Sequence, residues 1–208
     1  MKLIELHLNE YLDILQSDAP APGGGSVSAL AGAQGAALLS MVCDLTLAKE
    51  KFAEEHELCA EIREKAGQLY ENFAKAIDED TEAFNLVAAA FKMPKDTDEE
   101  KAARRKAIAD GTLESTKVPF RVMQMAAEAL TLADRVLGHY NRNCDSDYGV
   151  GVLNLLTCIR GAWLNVKINL PGVKDEELAA KYEAEGRKMI ADCEEIAERI
   201  YKEIEEAL

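Results

Sequence analysis

Apolar positions recur at three- and four-residue steps from one end of the chain to the other, and no stretch alternates as a half-buried strand would. The pattern predicts seven helices. The first covers about residues 3–16 and stops before Ser17-Asp18-Ala19-Pro20. The second starts at Ser26, whose hydroxyl suits an N-cap, and runs to about residue 49. On it Ala29, Gly32, Ala33, Ala36, Ala37 and Ser40 form a stripe of small residues, which suits a central helix packed closely on several sides. A third helix spans about 54–91 and ends at Met93-Pro94. The link Lys95-Asp96-Thr97-Asp98 then caps a charged fourth helix reaching about residue 117. Pro119 suits the first turn of a fifth helix, ending near residue 140. Ser146-Asp147 cap an apolar sixth, which runs to about 170 before Pro171-Gly172, and an acidic amphipathic last helix begins near Asp175. With no composition break and no internal repeat, residues 1–208 read as a single all-α domain, a bundle of about seven helices around the small-residue helix.

Polar residues interrupt two of the apolar seams. On the third helix Phe73, Ile77, Phe84, Val87 and Phe91 keep a four-three rhythm only if position 80 belongs to the seam, and position 80 is Asp80. A carboxyl group buried there has its pKa raised, the tuning an acid–base catalyst needs. The alternative is a seam that turns outward, leaving Asp80 solvated beside Asp78 and Glu79. On the sixth helix Asn165 and Asn169 share one face of an apolar segment, where their amides join helices together or read the edge of a heterocycle. Asp44 and Asp147 extend this set. Asp147 serves either as a helix cap or as an acceptor for paired N–H donors.

Gly23-Gly24-Gly25-Ser26, ahead of the second helix, gives a backbone able to take positive φ and to approach a ligand closely. A helix start also offers free N–H groups to an anionic or carbonyl oxygen. The plain alternative is a flexible turn with a cap. A P-loop is excluded, because no lysine follows the last glycine.

A net charge of −14 argues against nucleic acid and anionic membranes as partners. An anionic ligand would need a local cluster such as Arg104-Arg105-Lys106, which otherwise serves solubility. The five cysteines form no CxxC pair, and Cys43, Cys158 and Cys193 fall within helical patterns, so they read as reduced core residues of a cytoplasmic protein. His7, His56 and His139 are scattered, and no metal site is expected. Residues 27–48 are apolar enough to suggest a membrane span, but Gln34, Ser40, Asp44 and Thr46 favour a helix buried in a soluble bundle. No signal peptide is expected at the N-terminus.

The segments PGGGSVSALAGAQGAALLSMV, LTLAKEKF, IDEDTEAF, MPKDTDEEKAARRKAI, KVP, NRNCDSD and NVKINL occur in that order along nearly the whole chain. Together they resemble the cyclodeaminase domain of formiminotransferase-cyclodeaminase and the related stand-alone methenyltetrahydrofolate cyclohydrolases. Ala48 and Tyr140 stand where that family often has glycine. The resemblance implies an all-helical homodimer acting on a tetrahydrofolate derivative, with Asp80 at the position of the family's catalytic acid. It implies cyclodeamination of 5-formiminotetrahydrofolate first, and as the alternative the interconversion of 5,10-methenyl- and 10-formyltetrahydrofolate. A helical interaction module without catalysis is a further alternative. The folate is substrate, so no cofactor is expected. A separate formiminotransferase or formyltetrahydrofolate enzyme would be a partner in metabolism. Gly23, Gly24, Gly25 and Ser26 would approach the ligand, Asp147, Asn165 and Asn169 would meet the pterin edge, and Lys49 and Arg105 the glutamate tail.

Overall fold

In the computed structural model, which describes residues 2–208, every regular element is helical. Six α-helices carry the fold: α1 (Leu8–Leu15), α2 (Gly24–Leu47), α3 (His56–Phe91), α4 (Asp98–Val136), α5 (Asp145–Asn169) and α6 (Glu176–Ala207). Short 3-10 turns flank them at Leu3–Glu5, Glu50–Glu55, Arg142–Cys144 and Leu170–Gly172.

Several boundaries differ from the sequence pattern, each for a local reason. The first predicted helix breaks at Leu6 and His7. Asp78 of α3 takes the Leu3 N–H at 2.6 Å and anchors the start of the opening turn, and the Glu10 carboxylate takes the His7 N–H at 2.9 Å and starts α1 separately. The predicted fourth and fifth helices are one continuous helix, and Pro119 lies inside it. Val118, Phe120, Val122 and Met123 are all buried around that proline, and this packing carries the helix through the missing N–H. The N-cap of α2 is Gly23, so Ser26 is not a cap but sits in the first turn with its side chain turned inward. Helix α5 begins at Asp145 with no side-chain cap, so Ser146 and Asp147 do not perform that role. By contrast, Thr97 with Glu100 caps α4 and Asp175 caps α6 through the Leu178 N–H at 2.9 Å.

Helix α2 is the axis of the bundle. Ser26 and Gly32 meet Ile77 and Phe73 of α3, while Gly24, Gly32 and Gly35 meet Asn165, Cys158 and Leu155 of α5. Both neighbours therefore run antiparallel to α2. The close approach depends on the missing side chains: a Cβ at Gly32 would lie 2.5 Å from the Phe73 ring and 2.8 Å from the Cys158 sulfur. Ala29, Ala33 and Ala36 share this packed side, whereas Ala37 is exposed and Ser40 half-buried, so the stripe is shorter than its sequence spacing implies. Helix α4 closes the four-helix bundle, and α6 lies across α4 and α5, with Trp163 packed against Gly186. Asp44 is a surface residue paired with Arg63 at 3.1 Å rather than a seam residue. All five cysteines are free and buried, including the three read as core residues.

The 24–47 and 142–172 segments are both long and apolar enough to cross a membrane, but half or more of each apolar window is covered by other parts of the protein.

Candidate active site

At the N-terminal end of α2 the bundle opens into a cavity of about 320 Å³. Its floor is Gly23, Gly24 and Gly25, and Asp80, Phe84 and Val87 of α3 form one wall. Ser115 of α4 and Asn165, Ile168 and Asn169 of α5 complete it, with Pro20 and Ala21 at the rim. A depression of about 500 Å³ near Tyr70, Lys75 and Glu82 is larger. Two of its four carboxylates are committed elsewhere, Asp78 to the Leu3 N–H and Glu79 to Arg121. The smaller cavity combines an acid, free backbone N–H groups and amides on apolar walls, the pattern of a small-molecule site.

The α3 seam explains how Asp80 reaches this cavity. Phe73 and Ile77 are buried at 0% and 2% exposure, whereas Phe84 is 39% exposed. The seam leaves the core at Asp80 and becomes a cavity wall, so the two readings of that position each describe one side of it. Asp80 is half-buried, and loss of solvent pushes its pKa above the ordinary carboxylate value. Hydrogen bonding from the Ser26 hydroxyl and backbone N–H opposes the rise without cancelling it. Ser26 Oγ lies 2.8 Å from the Ile77 carbonyl and 3.2 Å from Asp80 Oδ2. The hydroxyl has one proton. While it donates to Ile77 it can accept from a protonated Asp80, and after rotation it can donate to an ionised one. That arrangement supports the carboxyl in both protonation states.

Gly25 sets the approach. A Cβ there would lie 2.0 Å from Asp80 Oδ1, so a side chain at 25 and the carboxyl cannot coexist in this geometry. The expected positive φ does not occur in this segment. Gly23 is extended, and among the described residues Gly138 is the glycine with positive φ, at +80°. The glycines serve proximity here. The Gly24 and Gly25 N–H groups at the start of α2 have no partner within the helix and face the cavity floor, while the Ser26 N–H is turned to Asp80.

Both asparagines hold backbone carbonyls, and Asn169 joins α5 to α4. Asn165 Nδ2 donates to the Gly161 carbonyl at 2.9 Å, and Asn169 Nδ2 donates to the Ser115 and Asn165 carbonyls, each at 2.9 Å. Both side chains also line the cavity.

The other sequence candidates lie elsewhere. Lys49 follows the far end of α2, roughly 35 Å from Gly24 along the axis. Asp147 is beside it: burial first, then the Asp147 charge, raises the Cys144 thiol pKa, and Lys49 opposes. Arg105 is exposed on α4, roughly 15 Å along that helix from Ser115. Two residues near Asp80 carried no sequence signal of their own. The Tyr11 hydroxyl is buried without a partner, and burial first, then the Asp80 charge, pushes its pKa up. Ser115 was detectable only through Pro119 four residues later.

Comparison with known proteins bears on this arrangement. The profile described as Formiminotransferase-cyclodeaminase matches residues 7–188. A methenyltetrahydrofolate cyclohydrolase of Methylorubrum extorquens is 39% identical over 197 residues, which make up 95% of this chain and 95% of that protein. The formimidoyltransferase-cyclodeaminases of Gallus gallus and Sus scrofa are 30% and 34% identical over 90% and 86% of this chain, which matches only 34% and 33% of their lengths. In fold, the chain is similar to a formiminotetrahydrofolate cyclodeaminase from Thermotoga maritima, with a TM-score of 0.79 at 22% identity over 97% of this chain and 95% of that one.

Proposed function

The chain belongs to the formiminotransferase-cyclodeaminase family, and we propose that within it the protein is a methenyltetrahydrofolate cyclohydrolase that uses Asp80 as acid and base. The sequence motifs alone put cyclodeamination first. The balance shifts because 39% identity to a cyclohydrolase extends over 95% of both chains, whereas the bird and pig bifunctional relatives match over about a third of their lengths. Cyclodeamination is the second reading, favoured by 34% identity to the pig enzyme.

One observation carries the chemistry: Asp80 is a desolvated carboxyl held against Ser26 and Gly25 at the floor of a cavity. In the cyclohydrolase reaction, water adds to the methenyl carbon between N5 and N10. Ionised Asp80 takes a proton from that water, giving a neutral tetrahedral carbinolamine. The N5–carbon bond then breaks, Asp80 returns its proton to N5, and the carbinol hydroxyl loses a proton to solvent as the formyl C=O forms. One water is consumed and one proton released. In cyclodeamination the same carboxyl would take the N10 proton after attack on the formimino carbon and pass it to the departing ammonia. A raised pKa suits both directions, because the acid form stays populated closer to neutral pH. The α2 N–H groups favour the oxygen that gathers negative charge in the first reaction.

Among the described residues, the cavity wall contains no lysine or arginine, so a glutamate tail must find its cations outside it. Dimerisation offers a source. Val27 and Leu45 of α2, with Val150, Leu153, Leu164 and Ile168 of α5, are exposed, and Leu164 and Ile168 reach 70% and 78%. This apolar face begins at the cavity and extends toward the end that holds Lys49 and Asp147. An antiparallel second copy on it would bring its own Lys49 toward this cavity.

The purified protein, mixed separately with 5,10-methenyl- and 5-formiminotetrahydrofolate, distinguishes the two reactions through methenyl absorbance. A fall with the first alone supports the cyclohydrolase. A rise with the second alone selects the cyclodeaminase, and no change above the uncatalysed rate with either overturns both.

A further inference from the structure

A proline inside a helix leaves the carbonyl four residues earlier without its N–H donor. In α4 the proline is Pro119 and the orphaned carbonyl belongs to Ser115, on the cavity wall. That carbonyl accepts instead from Asn169 Nδ2 across the gap to α5, at 2.9 Å. We propose that Pro119 is a positioning residue of the cavity: by freeing the Ser115 carbonyl for Asn169, it fixes which atom of that amide faces the ligand.

The orientation follows from the donors and acceptors. Asn169 Nδ2 lies between two carbonyl oxygens, those of Ser115 and Asn165, and only an NH2 group can satisfy both. Asn165 Nδ2 is likewise held by the Gly161 carbonyl. Among the described residues, neither Oδ1 accepts a hydrogen bond from the protein, and both residues line the cavity. The α5 wall therefore presents acceptors. A ring edge bearing N–H and NH2 donors fits this wall, whereas an edge of bare acceptors does not. That selectivity rests on the folate reading proposed above, because the aminopyrimidine edge of a reduced pterin has this donor pattern.

An ordinary residue at position 119 would donate its own N–H to Ser115 and compete with Asn169 for one carbonyl. Pro119→Ala makes this change at a site where removing proline favours the helix. Two readouts separate the relay from a merely tolerated kink. The first needs no substrate: the Asn169 side-chain NH2 resonances, assigned by NMR, are protected from solvent exchange in the wild type and lose that protection in Pro119→Ala. The second is kinetic: KM for 5,10-methenyltetrahydrofolate rises roughly five- to thirtyfold, and kcat changes less than about threefold, the pattern of lost ground-state binding. The thermal midpoint does not fall. Asn169→Ala raises KM as well, and the double variant is no worse than Asn169→Ala alone, because Pro119 acts through that amide.

Retained NH2 protection in Pro119→Ala overturns the proposal. So does an unchanged KM in either single variant, or a double variant in which the two effects multiply. If the wild type turns over no folate while NH2 protection still depends on Pro119, the folate reading fails and the relay stands.

Discussion

Gly25 and Asp80 occupy each other's space, and this pair is the most local feature on which the account depends. Gly25→Ala places a carbon 2.0 Å from Asp80 Oδ1 and must displace the carboxyl or the start of α2. The expected cost is about 1–3 kcal/mol by urea denaturation, with turnover at least about tenfold lower. Asp80 makes a separate prediction through its charge. Its folded pKa is raised, so protonated Asp80 favours the fold below the unfolded value, and that contribution is lost as pH rises through the folded value. Asparagine cannot ionise there. The thermal midpoint of Asp80→Asn minus that of the wild type should therefore rise between pH 4 and pH 8; a difference that stays constant or falls contradicts the desolvated carboxyl. Asp80 was legible in the sequence because a carboxyl broke an apolar rhythm. The role of Gly25 was only half legible: three glycines signal an unusual backbone requirement, but not whether it is a positive φ or the nearness of another helix.

Helix type was readable from periodicity, while several boundaries needed tertiary contacts. Pro119 after a charged stretch resembles a helix start, and nothing local shows that α5 supplies the hydrogen bond the proline removes. Ser26 has the composition of an N-cap, yet Ile77 and Asp80 draw its hydroxyl inward. The small residues of α2 were read for close packing, and at Gly32 that packing is tight enough to test. Gly32→Ala pushes a methyl against the Phe73 ring and the Cys158 sulfur, and should cost about 1–3 kcal/mol by denaturant titration. The intrinsic helix preference of alanine over glycine would act in the opposite direction by about 1 kcal/mol. A net stabilisation would mean that α2 and α3 are less tightly apposed.

At the scale of the whole molecule, family and fold class were both within reach of the ordered motifs, but the distribution of candidates over the molecule was not. Gly23–Gly25, Asp80, Asn165 and Asn169 meet at one cavity, whereas Lys49 and Asp147 lie together at the opposite end, a separation fixed by the length of α2. Leu164→Glu on the exposed α5 face should dissociate a homodimer to monomer in light scattering, with helical circular dichroism retained. It should also raise KM for polyglutamylated folate more than for the monoglutamate; an unchanged molar mass relocates or removes the interface. The most direct test of the central claim is single-enzyme turnover of 5,10-methenyltetrahydrofolate at neutral pH by wild type and Asp80→Asn, both shown to be folded. The account predicts that asparagine lowers kcat by roughly a hundred- to ten-thousandfold. Turnover within about threefold of wild type would contradict it, because the proton would then be moving through some other group.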